Sequence, residues 1–163
     1  MASFRSLPRN RVGFTLVELM VVIIILAIVA AVTVPGLSSG KDFQALSAAR
    51  MLMADLQYAQ DLAVTQQGDV TVTFDADADS YTLSNASGPL VHPMTKADYT
   101  VAFGAMHGFQ SVRLAAVFGG TDSQVTFDVT GSPDQGGTIT LLAGSHQYTL
   151  TVEEGTGLVN VDD

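Results

Sequence analysis

The chain has 163 residues, 47% of them hydrophobic, with no cysteine and with 16 acidic against 7 basic side chains, a formal charge of −9. Without thiols it holds neither a disulfide framework nor a metal-thiolate site. Three of the basic residues, Arg5, Arg9 and Arg11, precede residue 14, so the rest of the chain carries 4 basic and 16 acidic side chains, a balance of −12 that repels nucleic acid and anionic lipid.

Residues 1–13 form a short basic leader, and residues 14–34 an apolar run in which only Thr15, Glu18 and Thr33 are polar. As a helix rising about 1.5 Å per residue, these 21 residues would reach about 31 Å, enough for the hydrocarbon core of a bilayer. The arginines before the run, with only Lys41 closely following it, hold the amino end in the cytoplasm and send the rest outward. A carboxylate inside a membrane helix costs about 2.5 to 3.5 kcal/mol, so Glu18 calls for a functional partner. Cleavage after Gly13 would create an α-amine on Phe14, one helical turn from Glu18 or facing the Glu18 of a neighbouring copy. A secretory signal peptide fits less well, because the run is long and has no small-residue cleavage site at its end. A plain signal anchor leaves Glu18 unexplained.

The string Gly13-Phe14-Thr15-Leu16-Val17-Glu18 after a basic leader, with Pro35 closing the apolar run, resembles the amino terminus of type IV pilins and type II secretion pseudopilins. The resemblance implies a prepilin peptidase as a partner, cutting between Gly13 and Phe14 and N-methylating Phe14. It also implies that Glu18 docks the subunit into a growing filament and that the helix bends at Pro35.

Beyond Pro35 and Gly36, the segment 37–40 reads as a kink or short break. From residue 42 to about 67 a helical period returns, with Phe43, Leu46, Ala49, Met53, Leu56, Ala59 and Ala63 as the expected apolar face and Gly68 as the stop. Arg50, Asp55, Gln60 and Asp61 are expected on the outside, facing solvent or neighbouring subunits.

After Gly68 the period becomes two. Val70, Val72 and Phe74 pair with Tyr81 and Leu83 in an expected hairpin across the turn 75–80. Further strands are predicted around Tyr99-Val101-Phe103, Val125-Phe127-Val129, Ile139-Leu141, Tyr148-Leu150-Val152 and 158–161, with 84–94 as a loop and the glycine-rich segment 131–137 as a mobile one. The order predicts an α+β fold: a long amino-terminal helix, half transmembrane and half amphipathic, packed on an antiparallel β-sheet. The divisions are a leader (1–13), a transmembrane and assembly helix (14–35), a stalk helix (36–67) and a β domain (68–163).

Residues 48–83, together with the Phe127-to-Gly131 spacing, are similar to the GspH/FimT group of minor pseudopilins. Where that group often has Gly-Arg before the last strand, this chain has Gly157-Leu158. Asp75, Asp77 and Asp79 alternate as in half a calcium loop, but Ser80 replaces the turn glycine and Ala86 stands in place of a closing Glu, so solvated hairpin carboxylates are the expected reading. His92, His107 and His146 are too dispersed for a zinc site, and each is expected to be exposed. No nucleophile elbow or phosphate loop occurs.

The expectation is a non-enzymatic subunit without cofactor or metal, inserted in the inner membrane as a single pass with its carboxy-terminal domain in the periplasm. It would then pack helix to helix with other pseudopilins in a type II secretion fibre. The alternatives are a FimT-type minor pilin priming a type IV pilus, or an unprocessed membrane-tethered binding domain.

Overall fold

The computed structural model describes residues 13–33 and 40–162, in two compact units that divide after Ser38. The expected bend at Pro35 and the leader before Gly13 lie outside the described residues.

In the first unit, helix α1 runs over Leu16–Thr33. Thr15 caps it: its Oγ1 accepts the Glu18 backbone N–H at 3.2 Å. Eighteen residues give about 27 Å of helix. Among the described residues, no helix is long and apolar enough to cross a membrane.

The second unit begins with helix α2, Gly40–Gln66. Its end differs from the expected glycine stop. Gln67 itself takes the left-handed conformation (φ 52°), and the Gly68 N–H reaches back to the Ala63 carbonyl at 3.2 Å, closing a Schellman-type turn. The Gln67 side chain adds a bond of its own to the Val64 carbonyl, at 2.7 Å.

The buried face of α2 is also rotated from the expected one. Ala45, Ala48, Ala49, Leu52, Leu56, Ala59 and Ala63 are buried, whereas Leu46 and Met53 lie half-buried at its margin and Phe43 is 68% exposed. Five alanines let the helix axis lie close to the strands, and a longer side chain in their place would hold it away. The long apolar residues therefore flank the contact line.

Among the described residues nine strands follow, and the expected antiparallel β domain is built of two sheets. In the first, β1 (Val70–Asp75) lies between β2 (Ser80–Asn85) and β6 (Gln124–Phe127). The far edge of β2 is shared by two short strands, β3 (Gly88–Pro89) and β4 (Thr100–Ala102). The second sheet runs in the order β5 (Arg113–Phe118), β7 (Gly137–Ala143), β8 (His146–Val152), β9 (Val159–Asp162), all antiparallel.

The expected β1–β2 hairpin forms, with Phe74 opposite Tyr81. Two predicted strands end early. Phe103 opens a single 3-10 turn (Phe103–Ala105) after β4, and Val129 lies beyond β6, 41% exposed. The segment 84–94 is less irregular than expected, since β3 pairs with β2 and Val91 bridges to Asp98.

Aromatic rings join the two sheets. Phe74 of β1 stacks on Phe118 of β5 with centroids 5.7 Å apart, and Tyr81 and Phe103 extend the row. Gly137 faces Phe118 across the β5–β7 ladder, and a Cβ there would lie 2.3 Å from the Phe118 ring. Only glycine leaves room for that ring.

Candidate assembly surface

On α1 the described apolar side chains are uncovered. Phe14 is 76% exposed, Leu16 77% and Ile23 54%, and the others through Val29 are comparably open. A helix with apolar side chains on all sides has no face suited to water. Glu18 lies on this surface, exposed, in the first turn of the helix. A carboxylate there is favoured by the positive end of the helix dipole. No described residue forms an ion pair with it.

In the second unit, several polar side chains expected on the outside turn inward. Asp55 accepts hydrogen bonds from the Tyr81 hydroxyl (2.6 Å) and the Tyr99 hydroxyl (3.0 Å), tying α2 to β2 and to the segment leading into β4. Burial, then the nearby Asp55 charge and its hydrogen bonds, raise both phenol pKa values well above the usual range. Gln60 donates through Nε2 to the carbonyls of Gly131 (2.7 Å) and Thr156 (3.0 Å). That clasp gathers the expected Phe127-to-Gly131 element against α2, and Gly157 packs into it so closely that a Cβ would lie 2.7 Å from the Gln60 amide.

The segment 131–137 is accordingly held in place. Gly131 donates to the Asp128 carbonyl, and the Asp128 carboxylate accepts bonds from the Thr130 hydroxyl and from the backbone N–H groups of Thr130 and Ser132. Those bonds, the Thr130 hydroxyl foremost, lower the Asp128 pKa.

The three hairpin carboxylates separate into different roles. Asp75 accepts the backbone N–H groups of Asp77 and Ala78, closing the turn. Asp79 is buried with φ 47°, pairs with Arg113 at 2.5 Å and accepts the Leu114 N–H at 3.0 Å. It is a link between the sheets, contrary to the solvated reading, because β5 supplies a guanidinium that no spacing within the hairpin foretells. Among the described residues no cluster of potential metal ligands forms. His92 is half-buried where exposure was expected, and it accepts the Met94 and Thr95 N–H groups through Nδ1; His146 is exposed as expected and pairs with Asp42 at 2.5 Å.

Comparison with known proteins adds the lineage. Residues 48–156, well over half of the chain, match the family model described as Type II transport protein GspH. The chain belongs to the GspH family. Residues 8–34 match a second model, the prokaryotic N-terminal methylation motif. GspH proteins are structural subunits, and with the methylation motif this one is pilin-like.

Two solved structures share the fold of this GspH-family chain. The minor pseudopilin EpsH from the type 2 secretion system of Vibrio cholerae superposes with a TM-score of 0.57 at 16% identity, covering 72% of this chain and 95% of that one. The type IV minor pilin FimU of Pseudomonas aeruginosa strain PAO1 gives 0.53 at 21% identity, covering 73% and 88%. No curated protein matches the chain by sequence.

Proposed function

We propose that this GspH-family chain is a minor pseudopilin of a type II secretion system, a structural subunit of the periplasmic fibre that helps export folded proteins. The observation that carries the proposal is the contrast within residues 14–29: a methylation-motif match over a helix whose apolar side chains this chain leaves bare. Before assembly the run 14–34 spans the inner membrane, with the arginine leader cytoplasmic and the β domain periplasmic. Prepilin peptidase cuts between Gly13 and Phe14 and methylates the new amine. In the fibre, the helices of other pseudopilins replace lipid around α1, and Glu18 faces a neighbour's Phe14 amine, where a paired carboxylate offsets the cost of its burial. The subunit acts by assembly and contact and performs no reaction.

A FimT-type minor pilin is the second reading, favoured by the likeness to FimU. The GspH match and the EpsH fold support the secretion system first.

The test is Glu18→Ala in the native cell. The variant is expected to be cleaved and methylated at Phe14 like the parent, to remain in the inner membrane, and to be missing from the isolated fibre, with secretion reduced. Normal incorporation and secretion would contradict the docking role, and an intact leader on the native protein would contradict the pilin-like reading. Loss of pili with intact secretion would favour the second reading.

A further inference from the structure

Beside the Asp55 knot, a half-open groove of about 430 Å³ lies between α2 and the segment running from His92 to Met106. Most of its exposed wall is apolar, formed by Met51 of α2, Val101 of β4, and Ala105 and Met106 of the 3-10 turn and its end, with Asp55, His92, Thr95 and Thr100 as polar members. Asp55 forms no ion pair within the described residues. Each of its oxygens accepts one tyrosine hydroxyl. A carboxylate has about four acceptor sites, so two remain, one on each oxygen.

We propose that this groove receives a basic side chain, arginine or lysine, projecting from a neighbouring protein subunit, with its aliphatic stem against Met51 and Met106 and its charge on Asp55. Three observations select that occupant. The groove is far too roomy for a bare ion, whereas a basic side chain carries an apolar stem and a charged tip in the order the walls and Asp55 present them. The sign is set by Asp55 and reinforced by the balance of −12 on residues 14–163. The two tyrosine bonds hold the carboxylate in one orientation, so little freedom is lost when a cation docks. His92 does not compete for Asp55 through Nδ1, which is occupied by the backbone N–H groups of Met94 and Thr95 at 3.1 and 3.3 Å. Met51 and Met106, with flexible and polarizable side chains, adapt to either stem.

The proposal adds a specificity pocket to the subunit reading and relies on it only for the identity of the neighbour. Its test needs no partner. With methyl-labelled methionines and the full chain in detergent micelles, n-butylguanidinium is titrated and the methyl resonances of Met51 and Met106 are followed. Saturable shifts at millimolar probe are expected, with n-butanol and guanidinium alone each binding about tenfold more weakly. Asp55→Asn, which keeps a carbonyl for one tyrosine, and Ala105→Phe, which fills the groove from an exposed position, are each expected to weaken binding about tenfold or more. Should Asp55→Asn fail to fold, Ala105→Phe decides alone. Absence of shifts in the parent, equal binding of butanol, or undiminished binding by a folded variant would overturn the pocket. None of these outcomes would alter the Glu18→Ala result, which tests the fibre reading separately.

Discussion

The two helices of this chain bury themselves by opposite means. In α1, 18 residues long, the described side chains are exposed and, Glu18 apart, apolar on every side. In α2, 27 residues long, a stripe of alanines and two leucines is buried against the strands while charged residues such as Arg50 and Asp61 face out. One helix finds its cover within its own domain, and in the proposed function the other finds it in lipid or in neighbouring helices. A folded domain and an assembly element thus share one sequence, and substitutions in the two should be felt by different measurements.

The sharpest break in the comparison comes from truncating an equivalent residue in each helix. Leu52→Ala removes a fully buried side chain and should cost about 2–5 kcal/mol, lowering the melting temperature of the β domain by many degrees. Leu26→Ala in α1 should leave that melting temperature unchanged and show its effect in fibre incorporation alone. Thermal unfolding of both variants followed by circular dichroism, beside fibre isolation, checks the pair.

Gly137→Ala tests the ring row that joins the sheets. Its Cβ would meet the Phe118 ring, so a loss of about 1–3 kcal/mol is expected, read by denaturant midpoint. The neighbouring glycine Gly136 is less sharply confined, with its nearest contacts at 3.1–3.2 Å, and Gly136→Ala should cost less.

A smaller effect separates the domain from the helix by pH. Tyr81 and Tyr99 stay protonated in the folded state past the pH where an unfolded tyrosine ionises, about 10. Because the folded pKa values are raised, their contribution is complete below about pH 10 and is lost as pH rises further, when the unfolded state gains charge and the folded state does not. Phenolate absorbance should therefore show these two tyrosines titrating only together with alkaline unfolding. Burial is the main cause and the Asp55 charge the next, so Asp55→Asn should bring their ionisation only part of the way to lower pH.

How far the sequence can be read follows the same division. The Gly13-to-Glu18 string and the apolar run are legible because they are local: one spacing and one composition carry the message. The hairpin of β1 and β2 is legible because its alternation is strict over Val70 to Leu83. Strand β5 is not, since Arg113-Leu-Ala-Ala-Val-Phe118 places two alanines, poor strand formers, where alternation should show. Likewise the inward turns of Asp55, Gln60 and Asp79 depend on Tyr99, Gly131 and Arg113, partners 34 to 71 residues away along the chain. Helical periodicity identified α2 and placed Ala49, Leu56, Ala59 and Ala63 on its buried face, but it counted Phe43, Leu46 and Met53 there in place of Ala45, Ala48 and Leu52, although close helix-to-sheet contact favours small residues. The signal was present in the run of Ala45, Ala48, Ala49, Ala59 and Ala63.

The most direct test of an uncovered α1 is thiol accessibility in the native cell, for which a chain without cysteine is ready-made. Single variants Ile24→Cys in α1, Leu52→Cys in the buried face of α2 and Asp61→Cys on its exposed side would be treated with a membrane-impermeant maleimide. Asp61→Cys should react rapidly, while Ile24→Cys, exposed in the isolated chain, should be as protected as the buried Leu52→Cys because lipid or neighbouring helices cover it. Reaction of Ile24→Cys as fast as that of Asp61→Cys would contradict the assembly role of α1.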